Sequence, residues 1–322
     1  RPAARLAWGI PIPFDTAYVT YVWFDAPVNY ITIPAAYGDP EVVKALDLEN
    51  STLASLPSFK QKLQLWLADA HVIGKDIVKF HAVYWPIMLK AMGLPLPKQI
   101  VAHGFWQKNG DKISKSTGNI VDPAAVAAEW GVDAFRYYVT RELDIGPDGN
   151  WTDASFEARY HAELANGLGN LINRSLSMLN RYREGNVPSV SRELESEATT
   201  FISKAREHYA KHEIQDALVT TWNLVTRANQ YVDQTAPFKL AKDPAQSARL
   251  DEVLYNLAET CRIIAILISP VLPDGSARIL EQLNLGSSPQ TIANLTWGAL
   301  QPGHKIGTPA ALFPRKDLAK KA

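Results

Sequence analysis

The sequence predicts two regions in series: an α/β region over residues 1–150, part of an open parallel sheet, and an all-α antiparallel helix bundle over residues 151–322. Three observations carry that expectation. In the first half, β-branched and aromatic runs alternate with segments of helical periodicity. From Asp153 onward the apolar spacing is helical almost to the end. Between them Gly146 to Trp151 breaks the texture, and 322 residues that are 47% hydrophobic suffice for two cores.

Taken in order, Tyr18 to Phe24 reads as a strand running into a loop at Asp25-Ala26-Pro27, with Trp23 and Asp25 on one face. Pro40 to Pro57 reads as a surface excursion. His71 to Gly74 is a strand feeding a helix over Lys75 to Met92, which Pro86 should kink and Gly93 should end. On that helix Ile77, His81 and Trp85 share one face. Gln99 to Gly104 is a second buried strand. Asp122 looks like an N-cap with Pro123 at the first helical position, and Gly131 ends that helix. Two or three parallel strands alone would be poorly covered, so more structure is expected to belong with them. The bundle should contain helices over Asp153–Arg183 (ended by Gly185), Glu213–Gln234 (closed by Ala236-Pro237), Pro244–Ser269 and Ser276–Leu283. The basic end, Lys316 to Ala322, is expected to fray.

Composition excludes several classes. Lys+Arg and Asp+Glu both number 33, so a nucleic-acid contact must be local and not a global positive field. One cysteine, Cys261, rules out a disulfide framework and a zinc knuckle of several thiolates. The longest apolar run, Ile263 to Ile268, falls far short of the ~20 residues of a membrane span, and no membrane partner or metal site is expected.

The most specific chemistry lies in Asp111-Lys112-Ile113-Ser114-Lys115-Ser116-Thr117-Gly118-Asn119. Two lysines three apart, interleaved with serines, can wrap a phosphate chain, and phosphoryl or nucleotidyl transfer needs mainly such positioning and charge neutralisation. A solvated lysine loop accounts for the same residues equally well on spacing alone.

Context favours the first reading. Lys112 to Ser116 resembles the KMSKS signature of class I aminoacyl-tRNA synthetases, with Ile113 in place of methionine. Tyr21-Val22-Trp23-Phe24-Asp25-Ala26-Pro27, Gly74-Lys75-Asp76-Ile77-Val78-Lys79-Phe80-His81 and Val101-Ala102-His103-Gly104-Phe105-Trp106 are similar, in that order, to segments of the methionyl-tRNA synthetase family. Asn170 to Arg174 and Tyr231 to Phe238 resemble its anticodon-domain motifs, and Leu312-Phe313-Pro314-Arg315 the end of many short members.

The resemblance implies the second half of a Rossmann-type catalytic domain, a connecting segment around the lysine loop, and an anticodon-binding bundle. The substrates it implies are methionine and ATP with Mg2+, and the partner is tRNA(Met). Trp23, Ala26, Pro27, Tyr30, Ile77 and His81 become the methionine pocket, while Trp85 is read as core. Such a pocket suits a side chain without charge, which shape and aromatic–sulfur contact must select. Asp76 would meet the ribose or amino group of the adenylate; its plainer role is first-turn charge against a helix dipole. His103, Gly104 and Trp106 would meet adenine, a satisfied buried histidine being the competing account of His103. Lys115 would stabilise the departing pyrophosphate, with Lys112 assisting and Ser114 and Ser116 as donors. Asn170 and Arg174, four apart on one helix face, would read an anticodon base. Phe238 stands where several members carry tryptophan, keeping a stacking platform but losing an indole donor.

Two departures stand out. No His-x-Gly-His occurs, and neither does the insertion that carries a zinc knuckle in many members. Trp8 to Pro13 resembles the segment that re-enters the catalytic fold after that insertion. The chain is therefore expected to be the later portion of a synthetase, inactive in adenylate formation by itself. A sister synthetase for another hydrophobic amino acid and a non-catalytic RNA-binding protein are the alternatives; a phosphate-binding hydrolase lacks any Walker-type glycine run or triad. Overall resemblance points to the mitochondrial matrix, with the cytoplasm as the other choice.

Overall fold

The computed structural model describes residues 1–31, 68–113, 119–286 and 291–316. By internal contacts the chain falls into two compact units, Arg1–Gly104 and Phe105–Ala322.

In the first unit β1 (Pro11–Ile12) pairs antiparallel with β2 (Asp15–Val19). The strand expected over Tyr18 to Phe24 therefore stops at Val19. Val22–Asp25 forms a helical turn, α1, continued by a 3-10 turn over Ala26–Val28. Local bonds win over β propensity here. Phe24 N–H donates to Tyr21 O at 2.8 Å, and Pro27 sits in a first turn where its missing N–H costs nothing. Trp23 and Asp25 accordingly sit on a helical turn, not on one strand face.

β3 (Ala70–Gly74) and β4 (Gln99–His103) pair in parallel from Ala70 opposite Gln99 to Gly74 opposite His103, as the strand–helix–strand pattern predicted. The connecting helix is less regular than expected. It runs through a 3-10 turn (Lys75–Ile77) and a π turn (Phe80–Tyr84) into α2 (Trp85–Ala91). Pro86 falls in the first turn of α2, so the widened turn before it absorbs the missing donor where a simple kink was expected. Gly93, at φ +71°, ends the helix as predicted. Trp85 is fully buried, which supports its assignment to the core. The excursion expected over Pro40 to Pro57 lies outside the described residues.

The second unit opens with a small sheet absent from the sequence expectations. β5 (Trp106–Lys108) pairs antiparallel with β6 (Asp111–Lys112) and parallel with β7 (Gly149–Trp151). Asn109 and Gly110, at φ +55° and +84°, make the tight turn between β5 and β6. α3 (Pro123–Trp130) begins as predicted, Asp122 accepting the Ala124 N–H at 2.9 Å, and ends at Gly131 with φ +91°. α4 (Val132–Arg141) follows, docked through Arg136 onto Val271 O at 2.8 Å.

The long helix expected over Asp153 to Arg183 is continuous but composite: α5 (Asp153–Arg159), a π segment (Tyr160–Gly169) and α6 (Asn170–Arg183). α7 (Glu195–Ala210) was not anticipated, because its buried stripe of Ala198, Ile202 and Ala205 is mostly small. α8 (Ile214–Thr235) and α10 (Ser247–Ile268) match the expected helices closely; the short α9 (Pro237–Leu240) was not expected, and α11 (Pro273–Gln282) starts three residues early at its proline. α10 is buried nearly all round. Within it Glu259 pairs with Arg262 at 2.6 Å and also accepts the Gly298, Ala299 and Leu300 N–H groups. Lys316, expected to fray, is pinned: its ammonium bonds Glu129 O and lies 4.7 Å from the Trp130 ring centre.

Candidate functional site

Helical turns bring an aromatic cluster together in the first unit. Trp23 stacks on Phe80 with ring centres 4.3 Å apart and planes 9° from parallel. His81, buried, meets the Trp23 ring edge-on at 6.0 Å. Its Nδ1 lies 3.0 Å from Ile77 O, which can only accept, so Nδ1 carries hydrogen. In the neutral ring Nε2 then accepts the Tyr30 hydroxyl, 2.9 Å away. Tyr30 also packs on His71 at 4.5 Å, and burial pushes its phenol up. Burial, and then neighbouring His81, push the His71 imidazole down. The wall is thus aromatic and its hydrogen bonds are internally paired, apart from His71 Nε2, a buried atom without a partner.

Among the predicted methionine residues, Trp23, Tyr30, Ile77 and His81 converge here. Pro27 is buried and Ala26 half-buried in the turn that leads to Tyr30. Phe80 and His71 were missed. The π turn over Phe80–Tyr84 alters the phase that Ile77, His81 and Trp85 would keep in a plain α-helix. Trp23 also borders an apolar hollow of about 340 Å³, lined by Tyr21, Phe24, Tyr84, Ile87 and Met88 as well.

Nearby, the carboxyl ends of β3 and β4 stop side by side at Gly74 and His103, where open parallel sheets place their ligands. A Cβ on Gly74 would stand 2.6 Å from Asp76 Oδ1 and 3.8 Å from His103 Cε1. Glycine thus lets the Asp76 carboxylate fold over the strand end toward His103. His103 is exposed, which removes the buried-histidine account; its Nδ1–H donates to Gly104 O at 2.9 Å.

In the second unit the turn at Asn109-Gly110 delivers the backbone of Lys112, and Lys108 holds the far end of the loop. Lys108 Nζ donates to Ile120 O at 2.8 Å, and Asn119 Nδ2 donates to Lys108 O at 3.2 Å. Ser114, Lys115, Ser116 and the Lys112 side chain lie outside the described residues. Trp106, on β5, packs 6.0 Å from Tyr138 and 6.5 Å from Trp151.

On the bundle Asn170 is exposed, and Arg174 reaches Asp233 of α8 at 3.1 Å. Phe238 is 45% exposed, so it is no core plug; Ala236 at φ +43° and buried Pro237 turn it outward. Among the described residues, potential metal ligands of His208, Glu213 and Asp216 lie within 4.8 Å of one another, with His208 and Glu213 already hydrogen-bonded at 2.7 Å.

Residues 3–176 match the family of class I tRNA synthetases (M), and residues 183–320 the anticodon-binding domain of methionyl tRNA ligase. The chain belongs to the methionyl-tRNA synthetase family. A methionine–tRNA ligase of Caldanaerobacter subterraneus is 40% identical over 320 residues, 97% of this chain and 47% of that protein. One from Enterococcus faecalis is 39% identical over 97% of this chain and 45% of its own length. The Mycobacterium tuberculosis methionyl-tRNA synthetase in complex with methionyl-adenylate superposes with a TM-score of 0.80 at 36% identity, covering 98% of this chain and 59% of that one. The chain thus spans about half the length of the curated relatives it matches. Membership in this family sets aside the sister synthetase for another amino acid.

Proposed function

We propose that these residues form part of a methionine–tRNA ligase. In the first step a methionine carboxylate oxygen attacks the α-phosphorus of ATP, and the bond to pyrophosphate breaks. In the second, a hydroxyl of the terminal ribose of tRNA(Met) attacks the acyl carbon and AMP leaves. ATP would bring Mg2+ as its counter-ion. We assign residues 1–150 to the catalytic part and 151–322 to the RNA-binding part.

The single observation that carries the reading is the Trp23–Phe80 stack against His81, beside strand ends bearing Asp76 and His103. An aromatic wall offering no unpaired charge suits a thioether, whose contact with rings contributes about 0.3–1.5 kcal/mol. Asp76 and His103, at those strand ends, would meet the adenylate's polar groups. Lys115 and Lys112 would neutralise charge that grows on the leaving pyrophosphate, where it lowers the barrier instead of tightening ground-state binding. Asn170, Arg174 and Phe238 would hold the anticodon loop by base-edge bonds and stacking. The mitochondrial matrix rests on resemblance alone, and cell fractionation tests it.

Methionine-dependent pyrophosphate exchange tests the function. The 322-residue chain, without a His-x-Gly-His, is expected to give none. A polypeptide joining it to the front half of a relative's catalytic domain is expected to exchange, and Trp23→Ala there should lower kcat/KM for methionine about tenfold. Exchange by the chain alone at a whole-synthetase rate would overturn the partial-site reading. No exchange from the joined polypeptide, with hairpin RNA still bound, would favour a non-catalytic RNA-binding protein.

A further inference from the structure

The helix running from Asp153 to Arg183 widens in its middle. Over Tyr160–Gly169 it takes the π form, and the Asn170 N–H reaches back to Ala165 O. Each such turn holds about one residue more than the 3.6 of an α-helix. An unbroken α-helix would string Glu163, Gly167, Asn170 and Arg174 along one stripe. Here they part. Glu163 turns to Tyr137, Arg141 and Arg159, whereas Asn170 is exposed and Arg174 reaches Asp233.

Two sets of contacts from distant sequence hold the wide segment. From α8, Trp222 Nε1 donates to Glu163 O at 3.2 Å and Asn229 Nδ2 donates to Gly167 O at 3.3 Å. On another side lies the strap Leu312-Phe313-Pro314-Arg315. Tyr160 donates its hydroxyl to Pro314 O at 2.9 Å, and Arg315 Nε donates to Asn166 Oδ1 at 2.9 Å. The strap comes so near that a Cβ on Gly169 would stand 3.6 Å from the Phe313 backbone and 3.0 Å from Leu164 O.

We propose that this clamped π segment is a positioning device that sets the helical register at which Asn170 and Arg174 face an RNA loop, with Trp222, Asn229 and Tyr160 as its positioning residues. The inference rests on the anticodon-reading role proposed above. It also gives the strap motif a function, holding the wide turn through Tyr160 and Arg315.

The test uses the whole 322-residue chain and a short RNA hairpin with a CAU loop, against the same hairpin with one loop base changed. The double variant Trp222→Phe/Asn229→Leu removes both donors and keeps a ring against Tyr137, 4.4 Å away in the native chain. Well below its melting temperature, discrimination between the hairpins is expected to fall about tenfold. The salt dependence of binding should not change, since no phosphate contact is lost. Asn170→Ala and Arg174→Ala serve as references. If neither weakens hairpin binding, the anticodon role fails and takes this inference with it. If they do weaken it while the folded double variant discriminates normally, the positioning role alone is overturned. Should the double variant not fold, Tyr160→Phe decides: about a threefold loss of discrimination supports the clamp, and no loss overturns it.

Discussion

In Arg1–Gly104, Trp8, Phe14, Val22, Phe24, Val72 and Ile87 are each more than half exposed. In Phe105–Ala322 only Val132 among the described large hydrophobics passes that mark, and a single cluster runs from Ala134 to Leu312. The smaller unit carries rings and strand ends suited to a substrate on sheets of two strands, which are marginal by themselves. The larger one buries its own apolar surface. Exposed apolar area of this kind marks surfaces that pack against something else. Exposed and buried apolar surface are thus unevenly shared: the unit with the aromatic cluster leaves large side chains uncovered, and the unit with the helix bundle covers most of its own.

The largest expected effect belongs to Glu259→Ala. It takes the carboxylate from the buried Arg262 guanidinium and the acceptor from the three N–H groups of the 298–300 turn, at a cost of about 3–5 kcal/mol. Calorimetry should show the upper, Phe105–Ala322 transition drop while a lower one stays. If both fall together, the two units are one cooperative body and the contrast is broken.

Alkali should act on the same unit. Burial pushes the Cys261 thiol and the Tyr255 phenol up to about 12, from ordinary values of 9.0 and 10.0. Between about pH 9 and 12 the unfolded chain therefore releases protons that the folded one keeps, and stability falls as pH rises. The thiol contributes at most about 4 kcal/mol of that loss. Urea titrations at stepped pH check it, and Cys261→Ala should flatten the slope from its lower end.

The smallest effect is expected from Tyr30→Phe, which deletes the bond to His81 Nε2 and should cost about 1 kcal/mol in the lower transition only. A shift of the upper transition would contradict the assignment of that transition to the bundle.

Much of this was legible from local signals. Asp122-Pro123 and Gly131 bracket α3 because cap and φ preferences act within a few residues, and the same holds for Gly93 and for Ala236-Pro237. Among candidate site residues, Trp23, Tyr30 and His81 do meet, although the element beneath Trp23 is a helical turn where a strand was expected. Phe80 escaped notice because its stacking depends on a widened turn that periodicity does not reveal. α7 escaped because alanines at two of its three buried positions leave a faint stripe.

By itself the sequence determined where the well-capped helices start and stop, which residues are apolar, and the ordered motifs that mark the family. These depend on bonds and torsions a few residues apart. Only the tertiary structure decided the pairing of β5 with β7, the two π segments, and which atoms meet across them, as when Trp222 and Asn229 bond carbonyls about sixty residues away. Over Tyr160–Gly169 distant donors and a crossing strap hold the wider turn, and no local preference encodes such neighbours.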